Sequence, residues 1–247
     1  MKARTALDTL SSQTSAFLAV CHAHGLSVTE DVITTNNLVY LKQHLPRAMV
    51  AWDSRPWEAT IGCDLEMWLG SDRKGWCGYA IQAKRMDIPS GNYSSLAHKN
   101  AFGRQIDLLE DYAAWAGINP LYLFYNSHVR YISTLCNSPY TVHDQGCTIA
   151  PSSLVRRALR TPGARNFGFV HGSGQAALWR CLTCTAAPDP SCDCLPRSMQ
   201  PQPFRELPSR IRAALHTGEP QAEEYDNYGQ RYTSKALLVI DTSDDES

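Results

Sequence analysis

The stretch IGCDLEMWLGSDRKGWCGYAIQAKRM, residues 61–86, decides the fold. From Ile61 to Leu69 the side chains alternate. Leu65, Met67 and Leu69 face one way, and Asp64, Glu66 and Trp68 face the other. Such a period of two is the mark of a strand. Gly70-Ser71-Asp72-Arg73-Lys74-Gly75 is rich in turn formers and reverses the chain. Trp76–Met86 alternates again, with Tyr79, Ile81 and Ala83 on one face and Ala80, Gln82 and Lys84 on the other. Two alternating runs around a glycine-flanked turn predict a hairpin. Gly62 lets the backbone bend just before Asp64.

The elements on either side build a frame around this hairpin. Residues 1–26 contain a helix-like stretch, with Leu7 and Leu10 on one side and Phe17, Leu18 and Val20 further on. Ser27 and Glu30 have capping-box spacing. Thr29–Leu45 reads as a helix carrying Leu38, Leu41 and Leu45, closed by Pro46. Ala48–Trp52 is a short apolar strand candidate. Beyond the hairpin, residues 87–97 form a polar loop. The spacing of Phe102, Ile106, Leu109, Ala113 and Ala116 predicts a helix over 101–116, capped by Gly117. Leu121–Tyr125 (LYLFY) reads as a buried strand ended by Asn126. Helix, strands, helix and strand in this order predict an α/β fold with helices flanking a mixed sheet.

After residue 126 the pattern weakens. Ser152–Arg160 is a short basic helix candidate, and Gly163–Gly174 is glycine-rich. Residues 186–208 carry Pro188, Pro190, Pro196, Pro201, Pro203 and Pro208 and read as an irregular connection. Arg210–Leu215 reads as helix, and Ala236–Ile240 (ALLVI) as a late strand on the sheet edge. The expected division is a core over 1–150 with an N-terminal helix, and an extension over 151–247 packed on it, with a Cys-rich loop and an acidic tail.

Composition bounds the function. With 247 residues the chain can bury a core without staples. Apolar residues at 43% and charged residues at 19% are a globular balance rather than a disordered one. No apolar run reaches the roughly 18 residues of a membrane span, and the N-terminus lacks the continuous apolar region of a signal peptide. The expectation is therefore a cytoplasmic protein with no membrane partner. A net charge of −1 excludes a polycation, but the charge is unevenly spread. Between Asp144 and Asp189 there is no acid, yet Arg156, Arg157, Arg160, Arg165 and Arg180 all lie there. From Glu219 onward the balance is acidic. A basic middle can hold a polyanion, and an acidic tail repels one.

The hairpin alternation places Asp64 on one polar face and Gln82 and Lys84 on the facing one. That set suits phosphodiester cleavage. A carboxylate and a second oxygen ligand suit Mg²⁺ or Mn²⁺, which polarises a phosphoryl oxygen and helps generate hydroxide. A lysine beside them orients the water and balances developing charge.

The run Glu58-Ala-Thr-Ile-Gly-Cys-Asp64-Leu-Glu66, then Ile81-Gln82-Ala83-Lys84, then Gln105-Ile-Asp-Leu-Leu, resembles the PD-(D/E)xK phosphodiesterase superfamily, the restriction-endonuclease-like fold, in a bacterial branch of no settled function. The resemblance covers about Thr29 to Asn126 and rests on the matching order of elements. It implies an αβββαβ core, an endonuclease acting on DNA, and a role in defence against foreign DNA. By position it makes Glu58 or Glu30 an extra acid and Gln105 the helix glutamine, with Asp64, Gln82 and Glu58 holding Mg²⁺. Glu30 serves equally as a cap, Gln105 equally as a half-buried helix residue, and Glu66 reads as an exposed strand acid. Gln82 stands where most members have Glu or Asp. An amide still offers an oxygen, but no charge.

Outside this region, Cys181-Leu-Thr-Cys184 and Cys192-Asp-Cys194 are separated by seven residues. The first pair has zinc spacing, while the second is tighter than usual. Structural zinc stands here against reduced thiols or a redox pair, with His171 as a substitute ligand. Arg156, Arg157 and Arg160 fall at helical spacing and can contact phosphates, or form a solvated face. No nucleophile elbow surrounds Ser173. Two classes remain. One is a metal-dependent nuclease acting on nucleic acid, DNA first, with a homodimer open. The other is a non-catalytic nuclease-like module that binds nucleic acid or protein through the cysteine loop and arginines.

Overall fold

The hairpin forms as its alternation predicts and sits inside a larger sheet. In the computed structural model, which describes residues 1–52, 61–127, 141–186, 194–218, 223–224, 231–232 and 234–243, seven strands make the main sheet. They are β1 (Ala48–Trp52), β2 (Leu65–Ser71), β3 (Gly75–Arg85), β4 (Asn119–Tyr125), β5 (Cys147–Pro151), β6 (Ala177–Leu178) and β7 (Ala236–Asp241). Their order across the sheet is β1-β7-β2-β3-β4-β5-β6. β2 and β3 are antiparallel with Leu65 opposite Ile81, and β3 and β4 are parallel with Gln82 opposite Tyr122. The sheet is mixed and flanked by helices, as expected.

Both faces are covered. Leu65, Met67, Leu69, Tyr79, Ile81, Leu123 and Leu238 pack under α1 (Ala3–Ala23) and α2 (Glu30–His44). Trp68, Ala80, Tyr122, Phe124 and Val239 pack under α3 (Gln105–Ala116), α4 (Ser152–Arg160) and α7 (Ser209–Thr217). Between them in the chain lie the short helices α5 (Phe167–Gly172) and α6 (Thr183–Ala186). A central strand covered on both faces tolerates few polar side chains. Those on β2 and β3 therefore need specific partners. No helix among the described residues is long and apolar enough to cross a membrane.

Several expectations are corrected. β7 is not on the edge. It lies between β1 and β2, antiparallel to the first and parallel to the second. Its five apolar residues are buried on both sides, as an interior strand requires. β6 and β7, from beyond residue 150, belong to the same sheet as the earlier strands. Ser27 does not cap α2. Its N-cap is Thr29, without a side-chain bond. Helix α3 begins at Gln105 rather than 101, and Phe102 is 58% exposed. Phe17 and Val20 also face outward, while Leu7, Leu10 and Leu18 are buried. The Gly117 cap is present in the left-handed conformation, at φ 67°.

Candidate active site

Asp64 immediately precedes β2, and its backbone ties three strands together. Its N–H donates to the Ile81 carbonyl at 2.9 Å, and its own carbonyl accepts from the Ala236 N–H at 3.2 Å. The carboxylate points along the same face as Gln82 and Lys84. Its Oδ2 accepts from the Ala83 backbone N–H at 2.8 Å and from Nε2 of Gln82. Lys84 Nζ donates to Oε1 of Gln105 at 2.7 Å. The four residues that the sequence singled out, just before β2, on β3 and on α3, thus form two adjoining pairs at the carboxyl ends of β3 and β4.

Gly62 explains how the segment before β2 reaches this helix. It has φ +62°, and a Cβ there would lie 2.4 Å from the Gln105 carbonyl oxygen. Only glycine lets the chain lie against the first turn of α3, and that contact sets Asp64 beside the helix that carries Gln105.

The site is buried. Asp64, Gln82 and Lys84 are 7%, 2% and 4% exposed. Lys84 thus lies away from bulk solvent. Covered helices and neighbouring strands enclose it, and its ammonium is held by an amide oxygen. Gln82 Oε1 is buried and has no hydrogen-bond partner among the described residues. Leaving such an oxygen unpaired costs about 1–3 kcal/mol, so its survival calls for an explanation beyond packing. Tyr122, opposite Gln82 on β4, also has a buried hydroxyl without a partner among the described residues. Burial, with the nearby Asp64 charge second, pushes its phenol well up, so it is a neutral donor at the site. LYLFY read as core alone. The parallel register with β3 brings Tyr122 to Gln82, and no local pattern announces that register.

The remaining candidates fall elsewhere. Glu30 lies near the end of β3, where its Oε1 accepts from the Arg85 N–H at 3.3 Å and the Ser95 hydroxyl at 3.1 Å. Glu58 lies outside the described residues. Glu66 is not an exposed acid. It is 2% exposed and accepts from Trp68, Tyr112 and both terminal nitrogens of Arg210. Burial pushes its carboxyl up, but the Arg210 charge and these bonds outweigh burial and hold it below the usual range.

Of the arginines, Arg156 is paired with Asp107 at 2.8 Å and with Glu110. Arg157 reaches Gln175 at 3.4 Å and lies over the Phe169 ring. Arg160 is exposed at the end of α4. Cys181 and Cys194 are buried on the α1 side of the sheet, and Cys184 packs against that core at partial exposure. Cys192 lies outside the described residues. No group of three His, Cys, Asp or Glu placed to hold a metal occurs among the described residues. His171 is not a substitute zinc ligand. Its ring packs on Phe167 and lies beside Phe124 on the other sheet face. Its Nε2 pairs with the Thr148 hydroxyl at 2.7 Å and its Nδ1 with the Phe167 carbonyl at 3.0 Å. Burial holds it down at about 4.

Fold and site together define an α/β protein with a buried carboxylate–amide–ammonium cluster at the strand ends. A family model covers residues 3–245, and the chain belongs to that family, DUF6615, a family of unknown function. No curated protein and no solved structure matches it.

Proposed function

We propose that this protein is a metal-dependent nuclease, with DNA as substrate and Asp64, Gln82, Lys84 and Gln105 as its working residues. The observation that carries the reading is the meeting of these four at one end of the hairpin, with the Gln82 oxygen unpaired. Chain order from α2 to β4 is α-β-β-β-α-β, which supports a restriction-endonuclease-like core. The insertion of β7 between β1 and β2 is a departure from a simple meander. Defence against foreign DNA is the role that this resemblance suggests.

The donor set fits a hard cation. Asp64 offers a carboxylate and Gln82 an orphaned amide oxygen, both of the oxygen type that Mg²⁺ prefers. Glu58 is the acid that the sequence places nearest before Asp64. When bound, the cation would supply Lewis-acid polarisation of the scissile phosphate and a more acidic water. The chain's own residues do the rest. Gln105 holds the Lys84 ammonium in one direction, so its charge is preorganised for the negative charge that builds on the phosphate. Burial keeps bulk water from screening it. Tyr122 offers a neutral O–H to the same space.

A second reading is favoured by one observation. Asp64 Oδ2 already accepts two hydrogen bonds, one of them from Gln82 itself. A site that satisfies its own carboxylate this way suits a non-catalytic nucleic-acid-binding module. Incubating the pure protein with plasmid and linear DNA in Mg²⁺ or Mn²⁺ separates the two. Cleavage that stops with EDTA and in Asp64→Ala supports the nuclease. Binding without cleavage in every metal supports the module. Cleavage unchanged in both Asp64→Ala and Lys84→Ala removes the site assignment.

A further inference from the structure

A second site lies on the same face and at the same end of the sheet. Of the five arginines in the acid-free run, Arg156 is neutralised by Asp107 and Glu110, and Arg180 pairs with Asp8 at 2.9 Å. Arg157 is engaged by Gln175 and Phe169. Arg160 and Arg165 are exposed and make no ion pair among the described residues. Both line one pocket of about 540 Å³, with Asn92, Ser94 and Thr161 among its polar walls and no acid in its lining. Asp87, the acid nearest in the loop, is taken by the N–H and hydroxyl of Ser90.

Hydrogen bonds fix the position of this pocket. The loop that forms one wall leaves β3 directly after Lys84 and Arg85, and Met86 N–H donates to the Tyr125 carbonyl at 2.9 Å. The same stretch of chain returns to α3 where the Gln105 N–H meets the His98 carbonyl at 3.1 Å. Both residues of the Lys84–Gln105 pair therefore bracket the loop. Tyr93 N–H donates to the Arg165 carbonyl at 2.9 Å, and Tyr93 hydroxyl to Asn126, which ends β4, at 2.6 Å. These bonds pin the arginine wall to the carboxyl ends of β3 and β4. Two guanidiniums, with hydroxyl and amide groups and no carboxylate, are the chemistry of a phosphate.

We propose that this pocket is a phosphate subsite, receiving a backbone phosphate of a nucleic acid strand that also passes Asp64 and Lys84. The proposal rests on the nuclease reading only for what happens at Asp64, because the pocket binds whether or not the bond is cut. The test is equilibrium binding of a labelled DNA oligonucleotide in EDTA, over a series of salt concentrations. Arg160→Gln/Arg165→Gln should weaken binding about tenfold or more. It should also flatten the dependence of log affinity on log salt by about 0.7–0.9, the share of one phosphate. Arg73→Gln/Lys74→Gln, at the opposite end in the hairpin turn, should leave both unchanged. Equal losses in the two double variants, or none at Arg160 and Arg165, would overturn the subsite. Competition by inorganic phosphate or a mononucleotide as tight as by the oligonucleotide would overturn the strand assignment. Loss of binding at Arg160 and Arg165 in a protein that cleaves nothing supports the subsite and removes the nuclease reading alone.

Discussion

Asp64 and Glu66 stand two residues apart on the same face of the same strand region, and both are buried. They differ in how far they are satisfied. Glu66 takes two bonds from Arg210 at 2.6 and 2.9 Å, one from Tyr112 at 2.6 Å and one from Trp68 at 2.8 Å. Every donor comes from an element that the cluster clamps: β2, α3 and α7. Around Asp64, among the described residues, the neighbouring Gln82 keeps an unpaired oxygen, and Tyr122 an unpaired hydroxyl. A saturated buried network positions the fold. An unsaturated one leaves polar atoms able to take a water, an ion or a ligand.

The largest expected effect breaks the saturated side. Arg210→Ala leaves a buried carboxylate uncompensated and should cost about 3–5 kcal/mol, read as a lower denaturant midpoint. A stability equal to wild type would mean that Glu66 is not clamped as described. On the unsaturated side, Lys84→Met should keep or raise thermal stability, because a buried charge is replaced by an apolar chain. Its cleavage rate should fall about 10²–10³-fold, the typical worth of one preorganised group. Lost stability with unchanged cleavage would reverse the comparison.

His171 belongs with Glu66, since both ring nitrogens are bonded. Its value is lowered from 6.5 to about 4, so the unfolded chain takes up the proton first. Its contribution is complete above pH 6.5 and is lost as pH falls from there toward 4, about 3 kcal/mol in all. Melting temperature should drop through that window, and His171→Gln should flatten the drop. The smallest effect is the sharpest. Gln82→Glu sets a second carboxylate beside Asp64 and should lower stability without metal by about 1 kcal/mol. Added Mg²⁺ should raise the melting temperature of this variant more than that of wild type. Equal Mg²⁺ responses would show that Gln82 is not at a cation site.

Much of this was legible in the linear order of residues. Period-two alternation put Gln82 and Lys84 on one face, and Asp64 with them, because a strand has only two faces. Gly62 and Gly117 announced a bend and a helix stop, because their backbone angles exclude other residues. Local pattern also identified Ser152–Arg160 as a helix. What it could not carry was pairing between distant segments. ALLVI reads equally as edge or centre, and only the sheet order puts it between β1 and β2. Glu66 reads as an exposed acid until α7, over 130 residues later, brings Arg210 to it. Lys84 reads only as a polar-face lysine until α3 and the strands beside β3 close over it. Tyr122 meets Gln82, and Arg165 joins Arg160, only through parallel register and loop packing. Side-chain direction along one element is set by local backbone geometry. Burial, charge partners and the orphaned oxygen depend on contacts between elements far apart in the chain, so the tertiary structure alone decided them.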